Sequence, residues 1–95
     1  INAQNIIKEV SNYFSIPIST LVGSKRSKFV SHARQIAMYL SRELTNNSLP
    51  KIGKYFGNRD HTTVIYAVSK ISDLINTDQK VYNQIQEITN RLKNK

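Results

Sequence analysis

Five or six α-helices and no sheet are what these 95 residues encode, on three grounds. Apolar residues recur at i, i+3, i+4 and i+7 in segment after segment, the period of one helix face. No stretch alternates apolar and polar as a half-buried strand does, and no internal repeat or low-complexity linker interrupts the pattern. Breakers and capping residues fall between the periodic segments, at Pro17, Gly23, Asn46-Asn47, Ser48, Gly57 and Asp60.

Ile6, Val10, Tyr13 and Phe14 mark a first helix, stopped by Ser15-Ile16-Pro17, because a residue before proline is pushed out of the helical region. Ser19 to Val22 predicts one short helical turn, ended by Gly23. The polar run Ser24-Lys25-Arg26-Ser27-Lys28 leads to the longest helix, with Val30, Ala33, Ala37, Leu40 and Leu44 as its buried face. Thr45-Asn46-Asn47 ends that helix. Ser48 then caps a short helix starting near Leu49, with Pro50 in the first turn, where a missing N–H costs little. Leu49, Ile52 and Phe56 form its apolar face, and Gly57 ends it. Asp60 is the N-cap of the next helix, whose stripe is Val64, Val68, Ile71 and Ile75. Thr77 or Asp78 opens the last helix, with Val81, Ile85, Ile88 and Leu92 at i, i+4, i+7 and i+11.

With 14 Lys+Arg against 6 Asp+Glu, the net charge is +8, which points to a polyanionic partner. Apolar residues make up 39% of the chain, enough for one modest core, so a single folded domain covering 1–95 is expected. There is no cysteine, which excludes disulfides and thiolate metal sites. No apolar run approaches the ~18 residues of a membrane span, and Ile1 to Val10 lacks a signal-peptide pattern. A cytoplasmic location and no membrane partner are therefore expected. The chain opens on Ile1 rather than Met, so we expect a piece of a larger protein.

The 48–56 helix, a four-residue turn and the Asp60-led helix fit a variant helix-turn-helix, with the basic 24–28 loop beside it. In that plan the first residues of the second helix face base edges in the major groove. Here they are Asp60, His61, Thr62 and Thr63, short side chains that donate and accept. A carboxylate accepts from cytosine N4, a Thr methyl packs on the thymine methyl, and hydroxyls reach bases or phosphates. Each also has a purely structural reading: Asp60 as a cap, His61 as merely exposed, the threonines as first-turn residues, Arg59 as a solvated turn residue. Catalysis fits worse. Asp60 and His61 are sequence neighbours, which on a helix do not face each other as an acid–base pair. His32 and His61 are too few for a metal site without carboxylate partners, and there is no Gly-rich Lys-Ser/Thr loop for a nucleotide.

The run Gly57-Asn58-Arg59-Asp60-His61-Thr62-Thr63-Val64 closely resembles the signature of the C-terminal DNA-binding domain of the bacterial replication initiator DnaA. Ala33-Arg34-Gln35-Ile36-Ala37-Met38-Tyr39-Leu40, Glu43-Leu44-Thr45 and Ser48-Leu49-Pro50-Lys51-Ile52-Gly53 look like the same family, in its order and spacing. The likeness runs from about Leu21 to Ile71. It implies a monomeric domain that binds a short asymmetric DnaA box (TTATCCACA is typical) in double-stranded DNA at the replication origin. By the same resemblance, Pro50, Asp60, His61 and Thr62 would meet the major groove, with Pro50 on thymine methyls, and Thr63 would meet the backbone. It further implies an ATP-binding module upstream, no cofactor in this piece, and a parent protein that oligomerises on the origin through other domains. Asn58 stands where the family commonly has a second glycine, and Asn tolerates the left-handed backbone such a turn needs.

No acidic residue lies between Glu9 and Glu43, while Lys25, Arg26, Lys28, Arg34 and Arg42 do. The loop is cationic and can reach a neighbouring groove, and the resemblance assigns Arg26 to the minor groove, where a narrow AT-rich tract attracts arginine. Ser27 and Lys28 stand where relatives often carry Lys and Arg. Arg34 and Gln35 lie off the alanine-leucine face of the long helix and Arg42 follows two turns on, so all three are expected on one phosphate strand, with Lys25, Lys28 and Thr63 as further phosphate contacts. Lys54 and Arg59 are weaker candidates. Tyr39, Tyr55, Phe56 and Tyr66 are expected in or near the core. The rival readings are an RNA-binding module, which lacks exposed aromatics or a GXXG-like loop here; a helical interaction domain whose charge serves only solubility; and a DnaA-like domain fused to another enzyme.

Overall fold

In a computed structural model, residues 1–94 are described, and they form six helices in the order the periodicity predicts. These are α1 (Ala3–Phe14), α2 (Ile18–Leu21), α3 (Lys28–Leu44), α4 (Leu49–Tyr55), α5 (His61–Thr77) and α6 (Gln79–Lys93). No strand occurs among the described residues.

The boundaries follow capping chemistry. The side chains of Asn2, Ser27, Ser48, Asp60 and Asp78 each accept a backbone N–H from the first turn of the helix they precede. Asp78 does two jobs, ending α5 through its own N–H to the Leu74 carbonyl (2.7 Å) and capping α6 through Oδ1 to the Lys80 N–H (2.9 Å). Ser15 takes the left-handed conformation (φ 55°), closing α1 before Pro17. The basic loop is shorter than the polar run suggested, because Ser27 is the α3 cap and Lys28 is already helical.

Helix α3 is the hub, packed on α5 and α1 and touching α2, α4 and α6; α5 lies between α4 and α6. One continuous core joins Ile6 and Val10 of α1, Leu21 of α2, Ile36 and Leu40 of α3, Ile52 and Phe56 at α4, Val64 and Ile71 of α5, and Ile88 of α6. Each such side chain contributes about 1.5–3 kcal/mol by leaving water. On α5 the fully buried residues are Val64, Ala67 and Ile71; Val68 and Ile75 are only partly covered.

Outside the core, two polar ties hold the α1–α3–α6 side. His32 Nε2 and Gln84 Oε1 meet at 2.9 Å, joining α3 to α6. Arg91 of α6 pairs with Glu87 (3.0 Å), approaches buried Glu9 (3.9 Å) and stacks over the Tyr13 ring.

Candidate nucleic-acid interface

The turn between α4 and α5 is built on a close backbone approach. Arg59 N–H donates to the Gly53 carbonyl (2.9 Å), drawing the turn onto α4. A Cβ on Gly53 would stand 2.1 Å from the Arg59 carbonyl oxygen, so only glycine fits there. Gly57 (φ 74°) and Asn58 (φ 58°) both turn left-handed, as the turn chemistry anticipated for Asn58.

That turn delivers Asp60 as the α5 cap. Its Oδ1 accepts from the Thr62 N–H (2.9 Å) and the Thr62 hydroxyl (3.0 Å), and it lies 3.1 Å from His61 Nδ1. The backbone and hydroxyl bonds from Thr62, with His61 adding a smaller attraction, hold the Asp60 carboxyl below the usual carboxylate range. The contact with His61 corrects the expectation that these neighbours cannot meet: Asp60 has extended, non-helical backbone, so the i,i+1 rule for a helix surface does not govern it. Asp60, His61, Thr62 and Thr63 are all exposed, while Val64 beneath them is fully buried. Pro50 is exposed in the first turn of α4, the other helix of the pair.

Arg26 is exposed on the α2–α3 loop, as are Lys25 and Lys28 beside it. Arg26 lines one cleft of about 550 Å³ together with Ser31, Gln35, Thr63 and Tyr66, so the basic loop and the α5 tip share a wall. Gln35 is half-buried and its Oε1 has no hydrogen-bond partner among the described residues.

Two expectations fail here. Arg34 does not project toward an outside phosphate; it is 5% exposed, and its guanidinium donates to the carbonyls of Leu21 (2.7 Å), Lys25 (2.9 Å) and Thr20 (3.1 Å). The reason is its phase on α3, three residues before Ala37 and seven before Ser41, both buried. Nor do Arg34, Gln35 and Arg42 share one side. Arg34 and Gln35 line the cleft beside residues 63, 66 and 67 of α5, whereas exposed Arg42 lies in a separate cleft with Leu49, Ile65 and Val68. Residues 63, 66 and 67 and residues 65 and 68 occupy opposite flanks of α5, about half a turn apart. Helix α3 crosses α5, and its two ends come out on the two flanks.

Arg59 and Tyr66 were underrated by sequence reasoning. The Arg59 guanidinium donates to the carbonyls of Val22 (3.2 Å), Gly23 and Phe56, anchoring the turn to the α2–α3 loop. No local pattern announces partners so far along the chain. Tyr66 is 61% exposed, against its expected place near the core. Its position about 200° around α5 from buried Val64 was readable on a helical wheel. Phe56 is fully buried and Tyr39 and Tyr55 partly so, as expected.

Burial first, and then the neighbouring guanidinium, disfavour the charge on both Arg34 (beside Arg59) and Arg59 (beside Arg26). Among the described residues the arginine–carboxylate pairs all belong to Arg91, on the α1/α6 side. Arg34 and Arg59 are held by carbonyl dipoles rather than by carboxylates, and exposed Arg26 lies beside them.

A paired helix-turn-helix, an exposed capped tip and an uncompensated cationic loop are thus set side by side, and comparison with known proteins gives them a lineage. The family described as "Bacterial dnaA protein helix-turn-helix" matches residues 3–71, most of the chain. The chain belongs to that family. Proteins called "Chromosomal replication initiator protein DnaA" are similar over nearly its whole length. The one from Clavibacter sepedonicus is 56% identical over 89 residues (94% of this chain, 19% of the relative). That from Leifsonia xyli subsp. xyli is also 56% identical over 89 residues (94% and 19%). That from Corynebacterium aurimucosum is 52% identical over 94 residues (99% and 17%). The chain spans less than a fifth of the length of these DnaA relatives. Among the described residues no helix is long and apolar enough to cross a membrane.

Proposed function

We propose that this domain binds double-stranded DNA sequence-specifically, at DnaA boxes of a replication origin, and so positions a longer initiator for the start of chromosomal replication. The observation that carries this reading is the shared cleft: exposed Arg26 and Thr63 in the first turn of α5 face one space whose cations have no carboxylate partner among the described residues. A polyanion threading past that space supplies the missing countercharge. In this reading His61 and Thr62 read base edges in the major groove, Asp60 accepts from an amino group, and Pro50 meets thymine methyls. Arg26 enters the adjacent minor groove. Lys25, Lys28, Gln35, Arg42 and Thr63 hold phosphates on the two walls of the groove, and Arg34 serves by holding the loop that carries Lys25 and Arg26.

The isolated domain acts as a monomeric binding module in the bacterial cytoplasm and catalyses nothing. Nucleotide binding and assembly on the origin belong to other modules of the longer protein. The test is fluorescence anisotropy at near-physiological salt with a duplex carrying one TTATCCACA box against a scrambled duplex. A preference of about 10³ or more supports the reading. Equal affinity for both, falling together as salt rises, sinks it.

A further inference from the structure

We propose that Arg59 is the positioning residue that couples the minor-groove loop to the major-groove tip, so that the two readings of one duplex are energetically linked. The inference rests on the DNA-binding reading above. Arg59 needs no contact with DNA to act this way.

The placement of the Arg59 guanidinium carries the coupling. The guanidinium leaves the α4–α5 turn and donates to Val22 and Gly23, which lie 37 and 36 residues earlier in the α2–α3 loop, as well as to Phe56 in its own turn. From the other side Arg34 holds Thr20, Leu21 and Lys25. Two guanidiniums therefore restrain five carbonyls of the 20–25 segment. The reading residues are the next links in the chain: Arg26 follows restrained Lys25, and Asp60 follows Arg59 itself. The two backbones also nearly touch, since a Cβ on Gly57 would stand 3.0 Å from the Val22 oxygen and 3.5 Å from Arg59 Nη1.

A planar fork holds carbonyls on different residues in one fixed geometry. A lysine ammonium is a point donor on a flexible stem and keeps the charge without the span. Without the fork, the loop and the tip lose their fixed separation, and binding has to order the loop each time. The gain from Arg26 then shrinks, while the gain from His61, on the far side of the break, does not.

A double-mutant cycle in the folded domain tests this, read as affinity for the boxed duplex. In the unmodified domain Arg26→Ala is expected to weaken binding about tenfold, and in an Arg59→Ala background by less than about threefold. His61→Ala is expected to cost the same factor in both backgrounds. A loss of fold would scale all variants alike and leave the cycle additive, and circular dichroism confirms the helices. Should Arg59→Ala not fold, Arg59→Lys carries the same cycle: it retains affinity for scrambled DNA but not the coupling. The inference is overturned if the cost of Arg26→Ala is the same with and without Arg59, or if Arg59→Lys restores full coupling, which would make Arg59 a simple phosphate contact. It is also overturned if Arg26→Ala costs nothing in the unmodified domain, because no loop contact would exist to couple. A wild-type domain that fails to distinguish boxed from scrambled DNA instead defeats the DNA-binding reading itself.

Discussion

His61 shows how much one side chain can be told by its neighbour. His61 Nδ1 lies 3.1 Å from Asp60 Oδ1, so Nε2 is the ring nitrogen left for a base edge. Replacing His61 by alanine should cost about 1–3 kcal/mol, mostly as lost discrimination between boxed and scrambled duplex; unchanged discrimination in anisotropy titrations would remove His61 from the recognition tip. Asp60 combines capping with an exposed carboxylate. Its carboxyl titrates below the usual range in the folded state, so its stabilisation is complete above the unfolded value of about 3.9 and is lost as pH falls through the lower folded value. Asp60→Asn keeps an oxygen that caps but cannot titrate. Thermal melts should show wild type losing stability relative to Asp60→Asn as acid is added below about pH 4, and parallel acid limbs would contradict this.

At the scale of elements, the turn depends on Gly53 and the loop depends on Arg34. Gly53→Ala forces a methyl against the Arg59 carbonyl, backbone that cannot swing away, and should lower stability by about 1–3 kcal/mol in urea denaturation. An unchanged urea midpoint would mean the helices separate freely. Arg34→Ala strips three carbonyls of a charged donor. It should cost about 1.5–3 kcal/mol of stability and weaken binding to boxed and scrambled DNA together. Loss of boxed binding alone would contradict that. All six helices were legible because local chemistry wrote them: Ser48, Asp60 and Asp78 cap within three residues, and Val81, Ile85, Ile88 and Leu92 keep strict helical phase. The exposed tip was legible for the same reason. Arg34 and Arg59 were not read correctly, because their partners are carbonyls 9 to 14 and 36 to 37 residues away, brought near only by tertiary packing.

For the molecule as a whole, the arginine–carboxylate pairs among the described residues sit on one side. Arg91 pairs with Glu87 and approaches Glu9 where α1 meets α6, with exposed Lys8 and Lys93 nearby, while the loop and both ends of α3 present exposed Lys25, Arg26, Lys28 and Arg42. If these four cations displace counterions from DNA, the logarithm of the binding constant should fall with the logarithm of salt at a slope of roughly −3 to −4 between about 50 and 200 mM. A slope near zero would mean that these residues do not meet phosphates. The crossing of α3 over α5 carries one more consequence. Lys28 and Arg42 stand at opposite ends of one rigid rod, about 21 Å apart along its axis, close to the rise of six base pairs. In the proposed binding mode, the spacing between these two phosphate contacts is set by a residue count in α3. One added residue would lengthen the rod by about 1.5 Å but swing Arg42 through about 100°, off the flank altogether. In that mode the spacing can change only in jumps of whole helical turns, which makes α3 a ruler with coarse graduations.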